Sequence, residues 1–190
     1  MKSFRLPFLR QVRAGPRDLE VSMVGLKLGG SVLQLGGRDP VLIAELARVA
    51  GISGTAIAVV ETEEEAGAIQ HAAEQTGVLI DIRTASLSAL PCDPESVDIV
   101  VVPSLLGTLR MNQRVLCLQQ ALRVLRPGGR IIVVETAPRG GLGAIFSQRT
   151  LDRTFVMNGG AKGALDAEGF RAVRLLAERE GKQFFEAARP

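Results

Sequence analysis

The chain has 190 residues, 46% of them hydrophobic and 23% charged, which is the size and balance of one globular domain rather than a disordered segment. Its formal charge of +3 is unevenly placed: residues 1–17 carry Lys2, Arg5, Arg10, Arg13 and Arg17 with no acid, so the remainder is slightly acidic and argues against a broadly basic nucleic-acid-binding body. Two cysteines (Cys92, Cys117) and one histidine (His71) are too few for a disulfide framework, a zinc site or a histidine-based catalytic centre.

Residues 1–28 read as a basic arm followed by a leading helix over about Asp18–Leu28. Residues 29–190 then alternate short β-rich runs with helical stretches, the signature of an α/β sheet. The first strand is Ser31–Leu35, ending at Gly36-Gly37. Asp39-Pro40 opens a helix with an acid at the N-cap and proline at the first helical position, and Gly51 or Gly54 closes it. A second strand spans Thr55–Val60. Thr62-Glu63-Glu64-Glu65 has the form of a capping box for a helix running to about Gln75, with Gly77 as its stop. A third strand over Val78–Arg83 includes Asp81 and suits a sheet edge. The apolar fourth strand, Val97–Val102, expects cover on both faces. A helix over Arg110–Leu125 places Val115, Leu118, Leu122 and Leu125 on one face. Pro127-Gly128-Gly129 turns into a fifth strand, Arg130–Val134. Thr136–Gly163 reads as a long irregular insertion suited to a lid. Arg171–Ala177 and Gln183–Ala187 read as a closing antiparallel hairpin. The expected fold is α/β, a doubly wound and mostly parallel sheet with an antiparallel edge.

In such a sheet, ligands sit beyond the carboxyl ends of the strands, near the switch point after the first strand. Gly36–Asp39, Glu61-Thr62 and Ala85–Leu90 converge there. Gly36-Gly37 allows close backbone approach to a ligand or simply a tight turn, and Glu61 is placed either to accept from ribose hydroxyls or to stand as a solvated carboxylate. The three glutamates after Thr62 are explained by the helix dipole, and His71 by a surface position.

Two segments carry a resemblance to a known family. Ala89-Leu90-Pro91-Cys92-Asp93-Pro94-Glu95-Ser96-Val97-Asp98-Ile99-Val100 and Ala121-Leu122-Arg123-Val124-Leu125-Arg126-Pro127-Gly128-Gly129-Arg130 resemble class I S-adenosylmethionine-dependent methyltransferases, especially the ubiquinone/menaquinone-type small-molecule branch. Ala167-Glu168-Gly169-Phe170 before the last hairpin agrees in spacing. The resemblance covers about residues 29–190 and implies seven strands in the order 3-2-1-4-5-7-6. It also implies S-adenosylmethionine as cofactor, with Gly36, Gly37, Arg38, Glu61, Thr62, Ser86, Leu87 and Pro103 around it. The first glycine motif is degenerate. Gln34 stands where the family has an acid, Arg38 and Pro40 where it has its second and third glycines, and Ser86 where an acid follows the third strand. Arg38 then either pairs with the methionine carboxylate or fills the methionine pocket.

The expected activity is methyl transfer to a small molecule, with a non-catalytic methyltransferase-like scaffold as the alternative. No catalytic residue is assigned. Ser104, Thr108, Arg139, Arg149 and Arg153 lie where an acceptor would be held. A nicotinamide oxidoreductase fits poorly, because Gly36-Gly37-Arg38-Asp39-Pro40-Val41 is not G-x-G-x-x-G. No apolar run approaches a bilayer span and no secretory signal is present, so the expected location is cytoplasmic. The arm, with Phe4, Leu6, Phe8 and Leu9 among its cations, suits packing on its own domain, covering the cofactor cleft, or weak contact with a membrane surface or a protein.

Overall fold

The computed structural model describes residues 17–137 and 151–190. The strands are β1 (Ser31–Leu35), β2 (Thr55–Val60), β3 (Asp81–Thr84), β4 (Val97–Pro103), β5 (Leu125–Thr136), β6 (Arg171–Arg179) and β7 (Lys182–Ala188). The helices are α1 (Asp18–Val24), α2 (Pro40–Ala50), α3 (Glu63–Thr76), α4 (Met111–Val124), α5 (Arg153–Met157) and α6 (Gly160–Ala167), with a short 3-10 turn at Leu106–Thr108. The seven strands form one sheet in the order β3-β2-β1-β4-β5-β7-β6. β7 is antiparallel to both β5 and β6, and the other pairings are parallel. The fold class is the one read from the sequence, and the strand order is the one the family resemblance implied.

Alternation along the strands builds two cores. Val32, Ala58, Val60, Ile99, Val101, Ile132 and Val134 face the layer that holds α1, α2 and α3, where Val24, Leu42, Ile43, Leu46 and Ile69 are buried. Leu33, Leu35, Val100, Val102, Ile131 and Val133 face Cys117, Leu118, Ala121, Phe155 and Leu165 of α4, α5 and α6. Because β1 and β4 are covered on both faces, apolar residues at successive positions are all buried, as a central parallel strand requires.

The helix termini follow their chemistry. Asp39 caps α2 by accepting from the Leu42 N–H at 3.1 Å, and Pro40 opens the helix. Thr62 accepts from the Glu65 N–H at 3.2 Å. The reciprocal half of the expected box is displaced by one residue, since Glu65 accepts from the Glu61 N–H at 3.2 Å rather than from that of Thr62. The Glu65 side chain thereby fastens the end of β2 to the start of α3.

Four boundaries differ from expectation. α1 ends at Val24 rather than near Leu28, because Gly25 takes the left-handed conformation that stops a helix. β3 begins at Asp81, with Val78 and Ile80 before it packed, partly buried, against the core on that face. β5 begins at Leu125, which pairs with Val97 before an irregularity carries the ladder to Arg130 opposite Ile99. The stretch expected to be irregular contains α5 and the start of α6; its residues 138–150, with Arg139 and Arg149, lie outside the described residues, as do residues 1–16 of the arm.

Candidate functional site

In a sheet of this kind the ligand crevice is expected beyond the carboxyl end of β1, where the chain turns into α2. Gly36 follows β1 directly at φ +79°, a conformation suited to glycine, and its N–H donates to the Val59 carbonyl at 2.8 Å. A Cβ on Gly36 would meet Leu105 Cδ2 at 3.4 Å, so the turn after β4 closes over it. Gly37 answers a different demand. A Cβ there would lie 2.4 Å from Glu65 Cβ, so its bare Cα lets the loop pack against α3. The tight-turn reading therefore accounts for both glycines, and the same turn brings the backbone to the crevice.

Gln34 shapes this loop from beneath. It is fully buried, and its Nε2 donates to the carbonyls of Gly36 and Asp39, each at 3.1 Å. A carboxylate at this position would face those two carbonyl oxygens with no proton to give, so the amide is part of the local fold. Gln34 Oε1 is buried without a hydrogen-bond partner, and such an acceptor calls for a donor from water or a ligand.

Glu61, exposed just past β2, accepts from the Leu87 N–H at 3.4 Å through Oε1. This brings the segments after β2 and β3 together, as expected. Leu87 is buried beneath them, while Ser86 is exposed and accepts from the Ser88 N–H at 3.2 Å. Thr62 is committed to capping α3. Pro103 is buried at the end of β4 opposite Val134. Arg38 reaches from the β1 loop to the 3-10 turn, where its Nη2 donates to Thr108 Oγ1 at 3.3 Å. It thus spans the crevice between the ends of β1 and β4.

Glu135, absent from the sequence reading, is the most consequential addition. It ends an apolar run in β5, is only 8% exposed, and accepts from the Gly107 N–H at 3.4 Å. Burial pushes its carboxyl up to about 7, against the opposing pull of the Gly107 N–H and the Arg38 and Arg114 cations. It lines a cavity of about 170 Å³ with Leu151, Phe155, Gly160, Gln183 and Phe185. A signal existed in the sequence: a lone carboxylate at the carboxyl end of a strand that is otherwise Ile131-Ile132-Val133-Val134. Among the residues expected to hold an acceptor, Thr108 contacts Arg38, Ser104 has φ +49° at the strand end, and Arg153 is exposed on α5.

Arg114 secures the far wall. It is buried, donates to the carbonyls of Leu106 and Leu109 at 3.3 and 3.0 Å and to Thr154 Oγ1 at 3.2 Å, and lies 5.0 Å from the Phe155 ring centre. One guanidinium thus ties α4, the 3-10 turn and α5 together. His71 is exposed and contacts Gln75, in line with a surface role. Among the described residues no cluster of His, Cys, Asp and Glu suits a metal ion, and no helix is long and apolar enough to cross a membrane.

The comparisons with known proteins bear on the family and the fold. A family model described as a methyltransferase domain matches residues 35–133. The chain is 32% identical over 116 residues to the ubiquinone/menaquinone biosynthesis C-methyltransferase of Hahella chejuensis, a match spanning 58% of this chain and 45% of that protein. It therefore spans less than half the length of that relative. In structure it is similar to a SAM-dependent methyltransferase from Aquifex aeolicus, with a TM-score of 0.74, 17% identity, and coverage of 93% of this chain and 95% of that one. It is also similar to a SAM-dependent O-methyltransferase from Thermotoga maritima, with a TM-score of 0.65, 16% identity, and coverage of 92% and 65%. These structural likenesses are likenesses of fold. With the family model matching just over half of its length, the chain belongs to the class I S-adenosylmethionine-dependent methyltransferase-domain family.

Proposed function

We propose that the chain transfers a methyl group from S-adenosylmethionine to a small organic acceptor. The observation that carries this reading is the placement of Glu61 Oε1 beside the Leu87 N–H, next to the turn at Gly36. It sets a carboxylate acceptor at the switch point of the sheet, where a nucleoside's hydroxyls would find it.

The residues present fit that cofactor. Glu61 is exposed to accept from ribose hydroxyls, with buried Leu87 as an apolar floor. Gln34 Oε1 is a buried acceptor that lacks a donor, which an ammonium group would supply. The neutral amide costs the charge of the usual acid, about 1.5–3 kcal/mol of charged hydrogen bonding. Arg38, already bonded to Thr108, adds a cation at that end for a carboxylate. When bound, S-adenosylmethionine supplies a methyl group on a sulfonium centre that an acceptor's electron pair can displace.

What remains for the protein is mainly alignment and exclusion of water. Glu135 and the cavity beside it provide the acceptor side, with Phe155 and Phe185 as apolar walls. A carboxyl raised to about 7 is matched to taking a proton near neutrality, at a hydroxyl or other weakly acidic group held against it. The placement of this carboxyl on the wall of a cavity favours turnover over the scaffold reading. The test is incubation of the full chain with methyl-labelled S-adenosylmethionine and a small-molecule extract. Label is expected to enter an organic product, at a rate cut by about two orders of magnitude in Glu135→Gln. Transfer no greater than with heat-denatured chain would contradict the reading.

A further inference from the structure

The edge of the sheet opposite the crevice carries a feature that methyl transfer does not use. Ile52, Leu79 and Leu28 are 109%, 94% and 78% exposed, and they belong to the three connections that feed β2, β3 and β1. Single exposed aliphatics scattered over a surface need no explanation. These three are not scattered. β3, β2 and β1 are consecutive in the sheet, Leu28 Cδ1 lies 2.7 Å from where a Cβ on Gly51 would be, next to Ile52, and Leu79 lies two residues before β3 begins at Asp81.

The loops that bear the tips satisfy much of their own backbone. The Gly29 N–H donates to the Ala50 carbonyl at 2.8 Å, that of Gly30 to Lys27 at 3.0 Å, and that of Gly54 to Gly51 at 3.2 Å. Their side chains can therefore enter an apolar medium without dragging these amides in unpaired. Beside the tips, at the amino end of β4, a cleft of about 440 Å³ is lined by Lys27, Asp98, Arg126 and Arg130. Asp98 is occupied by Ser31 and Arg126, and Arg130 by Glu186. Lys27, next to Leu28, has no ion pair among the described residues.

We propose that this edge docks on an anionic lipid surface, with Leu28, Ile52 and Leu79 entering the interface and Lys27 meeting headgroup phosphate. Three separate projecting aliphatic tips beside a cation suit a fluid interface, which needs no matching concavity. The docked orientation keeps the carboxyl ends of the strands, with Glu61 and Glu135, facing solution.

Sedimentation of the full chain with vesicles of phosphatidylglycerol mixed with phosphatidylcholine tests the proposal. The chain is expected to pellet with them. The triple variant Leu28→Ser, Ile52→Ser, Leu79→Ser should bind at least about tenfold more weakly, and Lys27→Ala about fivefold more weakly. Both variants change exposed positions and should keep the parent's melting temperature. Replacing Lys2, Arg5, Arg10 and Arg13 by serine separates the basic arm: the triple substitution should still weaken binding in that background. No binding to the vesicles would overturn the proposal. So would binding that the arm variant abolishes and the triple variant leaves intact. Self-association removed by the triple variant, without vesicle binding, would instead identify a second copy as the occupant.

Discussion

Gln34 shows how one atom type decides a loop. Its Nε2 is shared between the carbonyls of Gly36 and Asp39, and an acid here can reproduce those bonds only when protonated. Gln34→Glu is expected to destabilise the chain by about 2–4 kcal/mol near pH 8, and by less near pH 5, when followed by denaturant melts. Equal stability at both pH values would show that the amide donors are dispensable. Glu135 makes the complementary prediction. Its folded-state pKa is raised from 4.5 to about 7, so the native state holds the extra proton between those values. Stability from this group is therefore full below about pH 4.5 and falls as pH rises towards 7, by roughly 3 kcal/mol in all. Glu135→Gln should remove that slope, leaving the variant the more stable protein near pH 8 and close to the parent near pH 4. A parent curve without this decline would contradict the assignment.

At the scale of elements, close approach of α2's leading loop to α3 depends on Gly37. Gly37→Ala would set its Cβ against Glu65 Cβ, which is fixed to the helix backbone and cannot swing away. Melting should show a loss of about 1–3 kcal/mol, whereas an unchanged melting temperature would show that α3 shifts freely. The sequence made these elements legible where a local signal is strong: Asp39-Pro40 and Thr62 start their helices as expected. It was less informative where tertiary contacts rule. Val78 and Ile80 have strand-like side chains and pack against the core, yet the Val78 N–H donates to the Ala73 carbonyl at the end of α3 and the ladder begins only at Asp81. Glu135 was legible as a lone acid ending an apolar strand, but its burial was not, because that comes from the 3-10 turn and α5, distant in sequence. Glu61 was legible as a strand-end acid near the switch point. Its bond to Leu87, which joins two of the expected segments, was not.

For the molecule as a whole, the parallel strands converge their carboxyl ends on one crevice, and the antiparallel pair β6–β7 completes the sheet beyond β5. The wall formed by α4, α5 and the 3-10 turn is held by Arg114. Arg17, where the described chain begins, forms an ion pair with Asp39, the N-cap of α2, at 2.9 Å. The central claim is that this crevice holds the cofactor's nucleoside through Glu61, and titration calorimetry of the full chain with S-adenosylhomocysteine tests it most directly. One saturable site is expected, weakened about tenfold or more in Glu61→Ala with the fold intact. No heat and no thermal stabilisation at millimolar ligand, or equal affinity in the variant, would contradict it.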